Sequence, residues 1–398
     1  ISRMGRDIME SVMDRETFDI IHQRLAGEEG TIRKDWGGKL TVALLYPNSY
    51  AIGMSNLGFQ TLYGLFNRSE RVVCERAFWE RREPVSLESA RPLADFDVLA
   101  LSLPYEQDYF NAVSFLKASA IPTRSCDRDR RHPLVMAGGA AVMANPEPLA
   151  AIVDCFVIGE AEAVLPDLLP VLFEGIESSR EELLSCLAHV PGVYVPSVGQ
   201  ARVTRRAAMN LADFATTSVL LTPETVLGDL YLLEIARGCP RGCRFCLAGH
   251  HFLPVRHRPT RTLLEQAREG LKFRRRIGLV SAAISDHPEI DDLVGGLRRM
   301  GAGFSVSSIR VKPLSDALLW GLAESGTRTV TLAPEAGSER LRRLIGKGFS
   351  EDDIMLAVEK VSRHGFRRLK LYFMIGLPTE TDEDMIEIVR LALAAKHL

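Results

Sequence analysis

The chain has 398 residues, which at roughly 150 per domain allows two or three domains and a large core. With 46% hydrophobic and 25% charged residues it has the composition of a folded globular protein, and disorder as the main state is excluded. Lys plus Arg number 49 against 51 Asp plus Glu, so the net charge of −2 exerts no global pull on nucleic acid or membrane, and a polyanionic partner would need a local patch.

No apolar run approaches the ~18 residues that span a bilayer, and no charged stretch followed by an apolar one opens the chain. A cytoplasmic protein without a membrane partner is the expectation. The seven cysteines agree: Cys239, Cys243 and Cys246 crowd into eight residues while the other four are scattered, a ligand pattern of a reducing compartment and not a disulfide framework. The chain opens on Ile1 and closes on Leu398 inside an unfinished periodic segment, which suggests a piece of a longer protein.

In chain order, residues 1–38 read as an amphipathic helical segment ending in a turn at Gly37 and Gly38. Strands are expected at 40–46, 71–78, 97–103, 134–137 and 155–158, with helices at 57–66, 106–118 and 163–172. Such alternation implies a parallel sheet covered on both faces, and the domain is placed at 39–175. Between 176 and 225 the alternation weakens around Pro191, Pro196 and Gly199, and the stretch reads as a connector with a few short strands.

A second alternation fills 226–398, with strands at 231–236, 278–284, 303–309, 328–333 and 368–375. Helices are expected at 262–274, 290–300, 315–324, 351–363 and 381–394. Five units of nearly constant length suggest a β/α barrel, too few to close as eight and one strand short of a partial barrel of six.

The most informative stretch is EIARGCPRGCRFCLAGH at 234–250, directly after the first strand of this second domain. Loops at the carboxyl ends of barrel strands are where such folds build active sites. Three thiolates spaced three and then two residues apart, with Gly238 and Gly242 letting the backbone wrap closely, can hold three irons of a [4Fe-4S] cluster and leave one open. The competing interpretation is a zinc site completed by His250 or His251, in a binding or scaffold protein.

This C-x₃-C-x₂-C pattern, with Phe245 as the aromatic before the third cysteine, resembles the radical S-adenosylmethionine (SAM) superfamily over about 225–398. The resemblance implies an enzyme of a partial (β/α)₆ fold, here ending after the fifth unit. Its [4Fe-4S] cluster would be bound by Cys239, Cys243 and Cys246, with SAM chelating the open iron and being cleaved reductively to methionine and a 5′-deoxyadenosyl radical. An electron donor such as flavodoxin or ferredoxin is implied as a partner.

Further SAM contacts are carried over position by position. Ser281 opens the segment SAAISD at 281–286, which departs from the family's Gly-Gly-Glu. Ser308 and Arg310 on the third strand are candidates for the cofactor carboxylate, although Arg310 reads equally as a surface charge. Glu335 and Ser338 follow the fourth strand, where Ser338, like Ser350, is alternatively a helix cap. Ile375 and Gly376 end the fifth strand, where the family holds adenine, and Gly376 otherwise serves a strand-end turn.

The preceding domain resembles the cobalamin-binding type, a flavodoxin- or Rossmann-like parallel sheet, on VMAGGA at 135–140, NPE at 145–147 and FVIGEAE at 156–162. Its ligand would sit beyond the carboxyl ends of the strands, on the loops after Tyr46, Leu103, Ala137 and Ile158. The family's D-x-H-x-x-G is absent and His132 has the wrong neighbours, so bound cobalamin and a fold that has lost it both stay open. Glu160 and Glu162 read alternatively as a helix N-terminal acidic pair.

Arg256 to Arg276 holds eight Lys or Arg against Glu265 and Glu269. It reads as a solvated barrel helix or as a patch for RNA phosphates, and no stretch has the aromatic-plus-basic pattern of a single-strand surface. The substrate, a small molecule or RNA, is not legible. A methylthio-transferring RNA or protein modifier is the alternative enzyme. It would need three more cluster cysteines, and Cys74, Cys126 and Cys155 are dispersed.

Overall fold

A computed structural model describes residues 15–80 and 84–398, and they divide into two units. The first comprises the described residues up to Met209 together with 218–228, and the second comprises 210–217 and 229–398. The stretch expected as a connector is therefore built into both units and is not a free linker.

In the first unit six strands form one sheet: β1 (Leu40–Tyr46), β2 (Val72–Phe78), β3 (Val98–Ser102), β4 (Leu134–Gly138), β5 (Cys155–Val157) and β6 (Val193–Tyr194). Their order is β2-β1-β3-β4-β5-β6, parallel except for the antiparallel β6. Every residue of β1, β2 and β3 is buried, as expected for a sheet covered on both faces. Alternate residues serve two cores. Val42, Leu44 and Tyr46 pack with Phe59, Tyr63 and Leu168, whereas Ala43 and Leu45 pack with Leu99, Phe115 and Val142.

Of the expected N-terminal helical segment, Arg15–Gly27 is helical and 31–36 is irregular, while 1–14 lies outside the described residues. The irregular part is held by Lys34 on the Asn67 and Ser69 carbonyls and by Trp36 on Glu75, and Glu28, just after the helix, is tied down by charge. The fully buried Arg76 donates to both carboxylate oxygens of Glu28, each at 2.7 Å, and to Glu88 at 2.6 Å. Helix Arg180–Leu187, begun by a capping box of Ser179 and Glu182, and β6 come from the expected connector.

The second unit contains β7 (Leu230–Glu234), β8 (Ala236–Arg237), β9 (Arg256–His257), β10 (Arg276–Val280), β11 (Gly303–Ser305), β12 (Thr329–Glu335) and β13 (Arg368–Phe373). β7, β10 and β11 form one parallel set and β12 and β13 another, and a parallel bridge from Ile309 to Leu332 links them. Helices Thr260–Gly270, Ile290–Arg299, Asp316–Glu324, Glu351–Arg363 and Asp382–His397 alternate with these strands, burying Leu263, Leu293, Leu297, Leu318, Leu322 and Ile354. β10 and β11 are shorter than expected, because residues 281–286 leave the sheet as turns and 306–308 as irregular backbone before Ile309 bridges to Leu332.

Candidate functional site

The three clustered cysteines lie on the loop that leaves β7. Its base is closed by β8 and β9, which pair antiparallel through Ala236 with His257 and Arg237 with Arg256. Below this ribbon Arg258, fully buried, donates to Glu234 at 2.7 Å and to Thr216 at 2.6 Å. Glu234 also takes Arg237 at 2.9 Å. Burial pushes the Glu234 carboxyl up, but Arg237 and Arg258 outweigh it and hold it below the usual glutamate range.

Above the ribbon the loop folds back on itself. Gly238 has φ +87°, and a Cβ there would stand 2.3 Å from the carbonyl oxygen of Phe252; one on Gly249 would stand 2.2 Å from that of Arg241. Only glycine fits either position. Cys239 and Cys243 are buried, Cys246 is half-buried, and Phe245 is exposed. Burial pushes the Cys239 thiol up, while the Arg241 backbone N–H and the charge of Arg310 pull it down.

Two neighbouring strand ends grip this loop. Arg241 donates to Asp286 twice, at 2.6 and 3.1 Å, and Arg310 lies 3.8 Å from the same carboxylate. Asp286 thus ties the cysteine loop to the turns after β10 and β11, and its hydrogen bond raises the Arg241 guanidinium. On the other side the Arg244 N–H donates to the Ile345 carbonyl at 2.9 Å, and the Gly346 carbonyl is 3.9 Å from the Cys243 sulfur. Lys347, next in the chain, reaches Glu335 at 3.2 Å and the Ala333 carbonyl at 3.1 Å. Gly346 and Lys347 gained no role from sequence, and Asp286 stood only as the last residue of the 281–286 segment; its tie to Arg241 appears in the fold alone.

The remaining candidates fall at the same carboxyl ends with different commitments. Ser281 accepts the Ala283 N–H at 3.2 Å, Ser308 is exposed, and Arg310 also donates to the Lys312 carbonyl. Glu335 stands at φ +70° and faces Lys347. Ser338 caps helix Glu339–Leu344 through the Leu341 N–H and donates to Asp384, and Ser350 caps Glu351–Arg363, so both hydroxyls serve as helix caps. Ile375 is exposed, and Gly376, at φ +80°, donates its N–H to Glu380. Ser285, beside Asp286, keeps a buried hydroxyl without a hydrogen-bond partner.

The donor set fits iron–sulfur better than zinc. A single zinc ion would need His250 or His251 as a fourth ligand beside the three thiols. A cuboidal cluster takes one thiolate per iron, which suits three thiols spread along one glycine-bent loop. His250 turns its ring to the Cys243 carbonyl at 3.4 Å.

The basic run 256–276 divides. Arg256 and Arg258 are buried, helix Thr260–Gly270 turns Leu263 and Ala267 inward, and Arg261 pairs outward with Glu265.

In the first unit the strand order reverses between β1 and β3, the position where open sheets of this order take ligands. Asn48 after β1 and Asp108 after β3 are joined at 3.1 Å, and Ile52, Tyr105 and Phe110 are exposed there. Gly139 after β4 has φ +120°, and a Cβ there would meet the Leu103 carbonyl at 2.5 Å. The apolar side chains suit a flat macrocycle. No histidine stands on these loops, and His132 precedes β4 at the other end of the sheet, paired with Asp129. Glu160 is buried beside Arg205, and its carboxylate accepts the Ala208 N–H at 3.0 Å.

Comparison with known proteins agrees with this geometry. Residues 58–196 match the family model for radical SAM proteins, N-terminal, and residues 233–392 match that of the radical SAM superfamily. An uncharacterized protein of Methanocaldococcus jannaschii is 34% identical over 358 residues, covering 89% of this chain and 74% of that protein. The cobalamin-dependent SAM radical enzyme OxsB, solved with aqua-cobalamin and SAM, superposes with a TM-score of 0.63 at 17% identity, over 89% of this chain and 52% of its own. The radical SAM methyltransferase TsrM of Kitasatospora setae, solved with tryptophan and a SAM analogue, gives 0.60 at 14%, over 89% and 71%. The last two likenesses describe the fold.

A strand-borne three-cysteine loop in a parallel α/β unit, matched by both family models, defines the class: the chain belongs to the radical SAM superfamily. It is a radical SAM enzyme.

Proposed function

We propose that Cys239, Cys243 and Cys246 bind three irons of a [4Fe-4S] cluster and that the first unit binds cobalamin at the β1–β3 switch point without a histidine ligand. When bound, the cluster supplies the electron that cleaves SAM to methionine and a 5′-deoxyadenosyl radical, and cobalamin supplies a methyl carrier. The observation that carries this is the cysteine loop, closed by β8 and β9 and clamped by Asp286 and Gly346 at the carboxyl end of the strands.

This chain's own residues do the positioning. Arg241 and Asp286 fix the loop against the neighbouring strand end, Gly238 lets it double back, and Lys347 orients Glu335 toward a polar ligand. Ser285 offers a buried hydroxyl in the segment that would meet the cofactor's amino group. β7, β10, β11, β12 and β13 would be consecutive strands of one partial barrel around this site. A cobalamin-assisted methyl transfer is the reaction class that this pairing of units supports best.

The methylthiotransferase alternative is poorly supported. Cys74 on β2 and Cys155 on β5 are separated by three strands of the sheet, roughly 19 Å at ~4.8 Å per strand, too far to share a second cluster. The test is anaerobic reconstitution with iron and sulfide, followed by titration with hydroxocobalamin monitored in the visible spectrum. About four irons and one cobalamin per chain are expected. Iron without cobalamin overturns the first-unit assignment alone, and zinc in place of iron overturns the whole.

A further inference from the structure

The end of the second unit opposite the thiols carries a charge pattern that the iron site does not use. All its long strands are parallel, so the helix-to-strand connections converge on one end: Arg276 is in register with Gly303 and Leu230, and Thr329 with Arg368. Across 268–276, 298–303, 324–328 and 360–368 stand twelve Lys or Arg residues and two acids, Glu269 and Glu324, in a chain whose net charge is −2; from outside these segments Asp316 and Glu359 pair with Lys360 and Arg363.

Part of this serves the fold. Arg268, Arg298 and Arg363 stand in last helical turns, where a cation favours the helix dipole, and Lys272–Glu269, Arg298–Glu324 and Arg363–Glu359 are ion pairs. Arg275, Arg328, Arg367 and Arg368 lie past the helix ends and are exposed. The dipole does not account for them, and helix Asp316–Glu324 ends on an acid with Arg328 following it. Phe273, 52% exposed, stands between Lys272 and Arg274, and Phe366 immediately precedes Arg367.

We propose that this end is a docking surface for single-stranded nucleic acid. Arg275, Arg328, Arg367 and Arg368 hold phosphates, and Phe273 is a stacking platform for an unpaired base. Residues 272–276, Lys-Phe-Arg-Arg-Arg, carry the pattern locally, and the parallel topology adds Arg328, Arg367 and Arg368 from two further connections. The exposed aromatic among arginines favours bases over an acidic protein. A protein electron donor has to approach the thiols instead, at the far end of strands that run up to roughly 20 Å at ~3.3 Å per residue.

Binding at this surface needs neither iron nor cobalamin, so the test runs on the full chain without added iron and again on Cys243→Ala. Fluorescein-labelled oligouridylate of twelve nucleotides is titrated by anisotropy between 50 and 200 mM KCl. Four phosphate contacts on a single strand give a log–log salt slope near −2.8, about a 50-fold loss over that range. The combined Arg275→Ala, Arg328→Ala, Arg367→Ala and Arg368→Ala variant is expected to flatten the slope by that amount at unchanged melting temperature. Phe273→Ala is expected to weaken binding about fivefold or more with the slope kept. If the fourfold variant does not fold, the Arg367→Ala, Arg368→Ala pair carries the test with half the slope change. Absence of binding at 50 mM, a slope indifferent to these arginines, or equal affinity for polyglutamate regardless of Phe273 overturns the proposal.

Discussion

Gly238→Ala isolates the backbone requirement of the cysteine loop from its chemistry. A residue other than glycine at φ +87° costs about 1–2 kcal/mol, and a Cβ 2.3 Å from the Phe252 carbonyl oxygen adds an overpacking cost of about 1–3 kcal/mol. Together they come to roughly 2–5 kcal/mol. Gly242 supplies the control within the same loop, since a Cβ there meets nothing within 4 Å and its φ is not positive. Gly242→Ala is therefore expected to stay within about 0.5 kcal/mol. Thermal unfolding of the metal-free chain reads the difference. At about 2–4 °C per kcal/mol for a unit of this size, Gly238→Ala should melt roughly 4–20 °C lower and Gly242→Ala within about 2 °C of the parent. Iron retained after reconstitution should follow the same order. Equal melting and equal iron in the two variants would refute the argument that this glycine shapes the loop.

Other expectations follow from the charged groups. Glu234 is held below its ordinary value by Arg237 and Arg258, so its stabilisation is complete above the unfolded value near 4.5 and is lost as pH falls through the depressed one. The metal-free melting temperature should fall in acid, and Glu234→Gln should flatten that decline. Arg76→Leu strands Glu28 and Glu88 in the first unit's core and should cost about 3–5 kcal/mol, seen as a lowered urea midpoint. Asp286→Asn removes the charge between Arg241 and Arg310. With Arg241 partly exposed it should cost only about 1 kcal/mol in melting, yet lower iron retention markedly.

The sequence made the first unit legible because most of its strands are apolar on both faces, as in 40–46 and 98–102, while β2 buries the charged pair Glu75 and Arg76 among apolar neighbours. The order β2-β1-β3-β4-β5 was not legible, since register between distant strands leaves no local trace. The cysteine loop was legible from ligand spacing alone. Its supports were not: Asp286 reaches Arg241 from 45 residues away and the Gly346 carbonyl reaches Cys243 from 103, and although 281–286 stood out as a segment, nothing in it marks Asp286 as the partner of Arg241. Ser338 shows a different problem: a serine before a helix looks the same in sequence as a cap or as a cofactor contact, and the structure shows its capping bond to the Leu341 N–H and its bond to Asp384. The segment 176–225 read as a linker because its elements are short, and its burial in two cores appears only when they are packed.

The measurement that bears most directly on the central claim is low-temperature EPR of the anaerobically reconstituted, dithionite-reduced protein with and without SAM, beside Cys243→Ala. A cluster on Cys239, Cys243 and Cys246 with one open iron predicts a reduced [4Fe-4S] signal that shifts when SAM is added, 5′-deoxyadenosine in the same sample, and neither in the variant. A signal indifferent to SAM, or one that survives Cys243→Ala unchanged, would contradict it.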